Sequence, residues 1–295
     1  MNSSKITAVR QTGLLSDLGE LSKARLSFLV LLTTLVGFLL GWRGPMDYTL
    51  LAATLVGTAL SAAGASALNQ WIERDLDALM SRTAGRPLPA GRMHPSDALF
   101  FGLLCCGSGV AILGFLVNPL TASLSGFTIF VYTALYTPLK RFSELNTLVG
   151  AIPGALPPLI GWTAATGHTE LGGWILFMIL WFWQLPHFLA IAWIYRDQYA
   201  DAGFRMLSTR DPEGWATSWQ ALIYSAALLA ISLLPGLLNF ASPWYFFVAL
   251  ALGTAMSFLA ADFVRSRDIA SARRLFFASI IYLPLLLGAL IAFEK

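Results

Sequence analysis

The chain has 295 residues, 57% hydrophobic and 12% charged, with a net charge of +3. Soluble domains carry roughly 25% charged residues, and a soluble chain of this length could not hide so much apolar surface in one core. A soluble enzyme, a disordered protein and a nucleic-acid-binding protein are excluded. The composition points to an all-α polytopic membrane protein.

The first 25 residues hold no apolar run followed by a small-residue cleavage site, so 1–25 is read as a cytoplasmic N-terminal segment without a secretory signal. A spanning helix needs an uncharged stretch of about 20 residues. Residues 26–42 and 48–72 supply the first two, parted by Arg43, Gly44, Pro45 and Asp47. The uncharged run 98–139 is long enough for two, with Asn118-Pro119 as its turn. Residues 145–169 and 171–195 form the fifth and sixth spans. The uncharged run 214–261 again holds two, divided near 239–243, and 275–293 forms the ninth. The expectation is one membrane domain over 1–295, a bundle of nine transmembrane helices. Ser61, Ala62, Ala65 and Ser66 suit close packing of the second span. Cys105 and Cys106 are adjacent in an apolar run and read as core residues, because neighbouring cysteines rarely close an unstrained disulfide.

Nine spans put the N-terminus and the 2–3, 4–5, 6–7 and 8–9 connections on one side. That side receives all but two of the 19 Lys and Arg, including Lys5, Arg10, Lys23 and Arg25; the exceptions are Arg43 and Lys295. The positive-inside rule makes it the cytoplasmic side and puts the C-terminus opposite. The long connections 73–97 and 196–213 lie there too, so the chemistry is expected at the cytoplasmic face.

Both of those connections open on acidic residues. Asn69, Glu73 and Asp77 fall within an arc of about 80° on one helical face, with Asp75 pointing elsewhere. Asp197 and Asp201 repeat the i, i+4 spacing at the end of the sixth span. Like charges so placed repel, and the negative end of the helix dipole adds to the cost. One such pair on a solvated loop is common by chance; two, at helix ends on one side, call for a cation. Oxygen ligands without nearby His or Cys favour Mg²⁺, which fills its shell with water and phosphate oxygens. Basic residues to hold phosphates are present on the same side: Arg82 and Arg86 in the first of these connections, Lys140 after the fourth span and Arg196 beside Asp197.

His187 follows Pro186 inside the sixth span, about 15 Å along the axis from Asp197. An ionisable group at membrane depth is a functional hypothesis, and Pro186 can open the helix to aim the ring into a cavity. If the helix stays regular, His187 and Asp201 lie about 40° apart and line one cavity. The alternative is a neutral histidine bonded to a neighbouring helix. Trp181-Phe182-Trp183 fits a lipid face or a cavity wall.

The chain resembles the intramembrane prenyltransferases typified by UbiA, in which two acidic motifs end helices two and six of a nine-helix bundle. Within them it is similar to the protohaem IX farnesyltransferases (haem O synthases). The stretches that carry the likeness are residues 69–77 with Met80, Arg82, Thr83, Arg86 and Pro87; residues 136–140; residues 146–162; and residues 183–188 leading to Asp197, Tyr199, Ala202 and Gly203. Glu73 stands where the pattern commonly has Asp, Gln198 where a second acid is frequent, and Arg205 and Ser208 where prolines are common.

The resemblance implies farnesyl diphosphate as donor, haem B as acceptor and Mg²⁺ as cofactor. Asn69, Glu73, Asp77, Asp197 and Asp201 would bind metal. Arg82, Arg86, Tyr136, Lys140 and Arg196 would contact diphosphate, with Tyr136 and Lys140 in the catalytic set. His187 would meet the haem. A bacterial cytoplasmic membrane follows as the location, and a haem A synthase or terminal oxidase assembly as the receiver of product. The rival readings are a prenyltransferase acting on an aromatic quinone precursor and a non-catalytic haem-handling or transport protein.

Overall fold

The computed structural model describes residues 13–294, so Lys5, Arg10 and Lys295 of the charge pattern lie outside the described residues. A short helix, α1 (Leu14–Leu21), leads into α2 (Ala24–Gly41), α3 (Tyr48–Asp77) and α4 (Pro95–Leu116). Next, α5 (Pro119–Phe130) continues through a π-helical turn (Val131–Tyr136) into α6 (Thr137–Leu139) as one span. The helices α7 (Asn146–Thr166) and α8 (Leu171–Ile194) follow. Two short helices, α9 (Arg196–Asp201) and α10 (Leu207–Arg210), precede α11 (Trp215–Leu237), α12 (Pro243–Ser266) and α13 (Ile269–Ala292). Among the described residues nine spans are long and apolar enough to cross a membrane, as expected.

The helix starts are written locally. Asn118 Oδ1 accepts the Thr121 N–H at 2.8 Å, and Pro119 occupies the first turn of α5, where a missing N–H costs nothing. Asp47 caps α3 in the same way, accepting from Thr49 and Leu50 at 2.9 Å. The second span stays helical beyond its uncharged stretch to Asp77, as expected, carrying Asn69, Glu73 and Asp77 as one continuous stripe.

The core gathers around α8, which packs on α7, α11 and α13; Ile179, Leu228, Tyr245, Phe263 and Leu275 are sealed inside it. Where α2 crosses α7, backbone meets backbone. A Cβ on Gly37 would collide with the Pro158 carbonyl, and one on Gly161 with that of Thr34, so both positions require glycine. On α3, Ser61 and Ala65 are buried as expected, with Ser125 Oγ donating to Ser61 Oγ at 2.9 Å, whereas Ala62 and Ser66 are half-buried. Cys105 and Cys106 are free buried thiols.

Contacts fix which ends share a face. Lys23, at the start of α2, reaches Asn69 near the end of α3. At the other face Arg43 pairs with Glu294 at 2.9 Å, and the Ser242 N–H donates to the Phe293 carbonyl at 2.7 Å.

Candidate active site

The polar stripe of α3 is enclosed: Asn69, Glu73 and Asp77 are 1%, 4% and 3% exposed, while Asp75 is exposed. These side chains sit inside the packed structure, not on its solvated surface. The loop after α3 folds back over them, and Thr83 Oγ1 donates to the Asp77 carbonyl at 2.8 Å. Buried carboxylates need partners, and this chain supplies them. Lys140 Nζ donates to Glu73 Oε1 and Oε2 at 2.8 and 3.1 Å, and Arg86 pairs with Asp77 at 2.5 Å. The cation that the repelling acids called for is therefore provided, in part, by two of the side chains assigned to diphosphate.

The π turn sets the opposite wall. Pro138 has no N–H for the Ala134 carbonyl, so an α-helical register cannot be completed there. The chain widens instead, and the Thr137 N–H bonds Tyr132 O. Thr137 Oγ1 donates to that same carbonyl and accepts from Asn69 Nδ2 at 3.0 Å. Tyr132 and Tyr136 stack at 5.5 Å, and Lys140 Nζ lies 4.5 Å from the centre of the Tyr136 ring. Gly150 on α7 leaves room for that ring, since a Cβ there would strike it.

Lys23 is a member of this cluster that the sequence reading did not single out. Its Nζ donates to Asn69 Oδ1 at 2.8 Å and to Tyr132 Oη at 3.2 Å. Its backbone is left-handed, φ 49°, a strained setting for a residue with a side chain. Burial first, then the charges of Arg86 and Lys140, push its ammonium down to about 7. Lys140 moves the other way: burial opposes its charge, but Tyr136 and the Glu73 carboxylate outweigh burial and raise its pKa above the ordinary lysine value.

The second acidic motif is built differently. The helix of the sixth span ends at Ile194, and Tyr195, with φ −111° and ψ 21°, breaks it, so Asp197 and Asp201 belong to the separate helix α9. The regular-helix argument aligning His187 with Asp201 therefore fails. Both aspartates are exposed. The loop after α3 nevertheless docks on α9: Ser81 Oγ donates to Gln198 at 3.2 Å and Arg82 to Tyr199 Oη at 3.2 Å. Arg82 also lies over the Tyr195 ring, and Arg196 over Trp193 at 4.4 Å. The motifs are adjacent through these side chains, but among the described residues no three His, Cys, Asp or Glu converge as a ready-made metal cage.

His187 faces α13. Its Nδ1 lies 2.7 Å from Ser279 Oγ, and its ring stacks on Trp183 and leans on Phe276. Ser279 Oγ donates its own hydrogen to the Phe276 carbonyl at 2.6 Å, so the proton of the His187 bond sits on Nδ1. Nε2 is then a lone-pair nitrogen without a hydrogen-bond partner among the described residues. Pro186 does not interrupt α8.

The family model described as the UbiA prenyltransferase family matches residues 30–281. The chain belongs to this family. A UbiA-family relative from Opitutus terrae named protoheme IX farnesyltransferase is 49% identical over 280 residues, covering 94% of both chains. Two solved structures share the fold. One, reported under the biosynthesis of digeranylgeranylglyceryl phosphate synthase in membranes, has a TM-score of 0.81 at 15% identity, covering 94% of this chain and 97% of that one. A UbiA homologue from Archaeoglobus fulgidus bound to GPP and Mg²⁺ has a TM-score of 0.67 at 15% identity, covering 94% and 99%.

Proposed function

We propose that this chain transfers the farnesyl group of farnesyl diphosphate to a vinyl group of haem B, adding a hydroxyl from water and releasing diphosphate, to give haem O. The observation that carries the prenyl-transfer half is the charge count of the cluster. Arg86 and Lys140 balance the carboxylates of Asp77 and Glu73 in an enclosed site, and Lys23, its ammonium brought down to about 7, takes up a proton and supplies the surplus when an anion arrives. A buried surplus of positive charge favours a polyanion. The haem half rests on the name of the Opitutus relative and on the free nitrogen of His187.

Asn69, Glu73 and Asp77 offer oxygen donors alone, a set that fits Mg²⁺, with Asp197 and Asp201 on α9 as further carboxylates. When bound, that ion supplies charge neutralisation for the departing diphosphate. The protein's own part is to hold the diphosphate oxygens with the N–H donors of Lys23, Arg86 and Lys140, and of Arg82 and Arg196 from the α9 side. The bond from farnesyl C1 to the bridging oxygen breaks, and the electron pair leaves with diphosphate. The enclosed site keeps water from the allylic cation, and the faces of Tyr132 and Tyr136 stabilise it. The vinyl group attacks C1, and water adds to the carbon cation left beside the porphyrin ring, losing a proton to solvent. His187 Nε2 is the nitrogen assigned to the haem iron.

In this reading the site end faces the cytoplasm of a bacterium, the bilayer carries farnesyl diphosphate and product, and a haem A synthase or terminal oxidase assembly takes the product up. A reporter fused after residue 295 then reads as extracytoplasmic. The deciding assay supplies membranes containing the protein with farnesyl diphosphate, haem B and Mg²⁺ and analyses the extracted haem by chromatography. A farnesylated haem supports the reading; unchanged haem with prenylation of an aromatic quinone precursor replaces it.

A further inference from the structure

The α1 helix packs against α2 and α3 next to the cluster, and one arginine ties it there. Arg92, in the loop between α3 and α4, has a side chain only 13% exposed. Its Nε donates to Asp17 at 2.8 Å and one terminal nitrogen pairs with Glu20, both on α1; its other terminal nitrogen donates to the Gly85 carbonyl at 2.8 Å. Gly85 directly precedes Arg86, and Glu20 lies three positions before Lys23. One guanidinium thus touches the segments that deliver two of the three cluster cations. The clasp is backed by Gln70 of α3, whose Nε2 donates to the Glu20 and Leu21 carbonyls at 3.1 and 2.7 Å, and by Leu21, sealed against Ala67, Leu88 and Ala98.

We infer that Arg92 is a positioning residue for diphosphate, acting through Lys23 and Arg86: it clasps α1 to the α3–α4 loop and so fixes the spacing of those cations. The inference rests on the diphosphate site proposed above. The left-handed backbone at Lys23 is the reason a clasp is needed. A strained junction persists only where its surroundings over-determine it, and α1 is too short to hold its place by helix propensity. The rigid fork of arginine suits three separate acceptors, which the point charge of lysine cannot reproduce.

The test uses the full-length protein in membranes, with KM for farnesyl diphosphate, kcat and haem B affinity measured on Arg92→Lys, Lys23→Met and the double variant. Arg92→Lys is expected to raise KM for farnesyl diphosphate about tenfold, the scale of one charged hydrogen bond, with haem affinity unchanged. In the Lys23→Met background the same change is expected to add much less than it does alone, because positioning a missing ammonium has no value. Glu20→Gln, which removes the more exposed acid of the clasp, serves if Arg92→Lys does not fold, and is expected to raise KM in the same direction. Fully additive effects, or a KM unchanged in a folded variant, overturn the inference. A wild-type protein that binds no prenyl diphosphate overturns the site itself, a distinct outcome.

Discussion

At the end of α3, Glu73 and Asp77 are enclosed and paired to Lys140 and Arg86; on α9, Asp197 and Asp201 carry the same i, i+4 spacing into solvent. Asp197 has Arg196 at 3.7 Å, but its side chain is 88% exposed, and such a pair is worth about 0–1 kcal/mol. Spacing alone therefore does not say what an acidic pair does. Buried acids are already neutralised, and their partners become available only in exchange for another anion. Exposed acids have nothing to exchange and are free to receive a cation directly. The α3 end is a preorganised clamp, and the α9 end is an open arm.

The largest effect that would break this contrast belongs to Asp77→Ala. Removing one partner of a buried pair leaves Arg86 uncompensated, which costs about 3–5 kcal/mol of stability. Turnover and the thermal midpoint in detergent should both fall, the former by two or more orders of magnitude on the scale of a lost transition-state contact. An unchanged midpoint would show that the α3 acids are not structural partners of the cations. Asp197→Ala is expected to lower turnover with no change in midpoint, a split that a shared structural role could not produce. Full activity in that variant would remove α9 from the metal site.

A smaller effect sharpens the pairing itself. Glu73→Gln together with Lys140→Met should be less destabilising than the two single changes added, since the double variant leaves no orphaned charge; chemical or thermal unfolding of the four proteins measures it. His187→Ala removes a bond to Ser279 worth about 1 kcal/mol and also the ring packed on Trp183 and Phe276, so its midpoint should fall below that of Asp197→Ala. Haem titration by absorbance should also show weaker binding, with farnesyl diphosphate affinity unaltered. Equal haem affinity in both proteins would make His187 a packing residue.

Much of this architecture was legible in the chain because a bilayer imposes simple rules. Uncharged runs mark spans, Asn118-Pro119 marks a turn and cap, and repelling acids mark a site that needs positive charge. The identity of that charge was not legible. Lys140 and Arg86 reach Glu73 and Asp77 across the fold, and Lys23 reaches Asn69 from another helix; no local pattern encodes such meetings. The break at Tyr195 was hidden for a different reason. The stretch from Tyr195 to Asp201 holds neither Pro nor Gly, so helical periodicity runs through it, and only docking of Ser81 and Arg82 on α9 accompanies its separation from α8. The burial of Asp77 depends on a loop folding back, which composition does not report.

The π turn at Val131–Tyr136 has a further consequence, one of phase. Each residue of a helix turns the chain by about 100°, so one residue more before Thr137 redirects everything after it. Thr137 and Lys140 meet Asn69 and Glu73 at the present count. An inserted residue among Thr133, Ala134 and Leu135 would turn Lys140 away from Glu73, whereas a deleted one can be taken up by the wide turn closing toward an α-helical one.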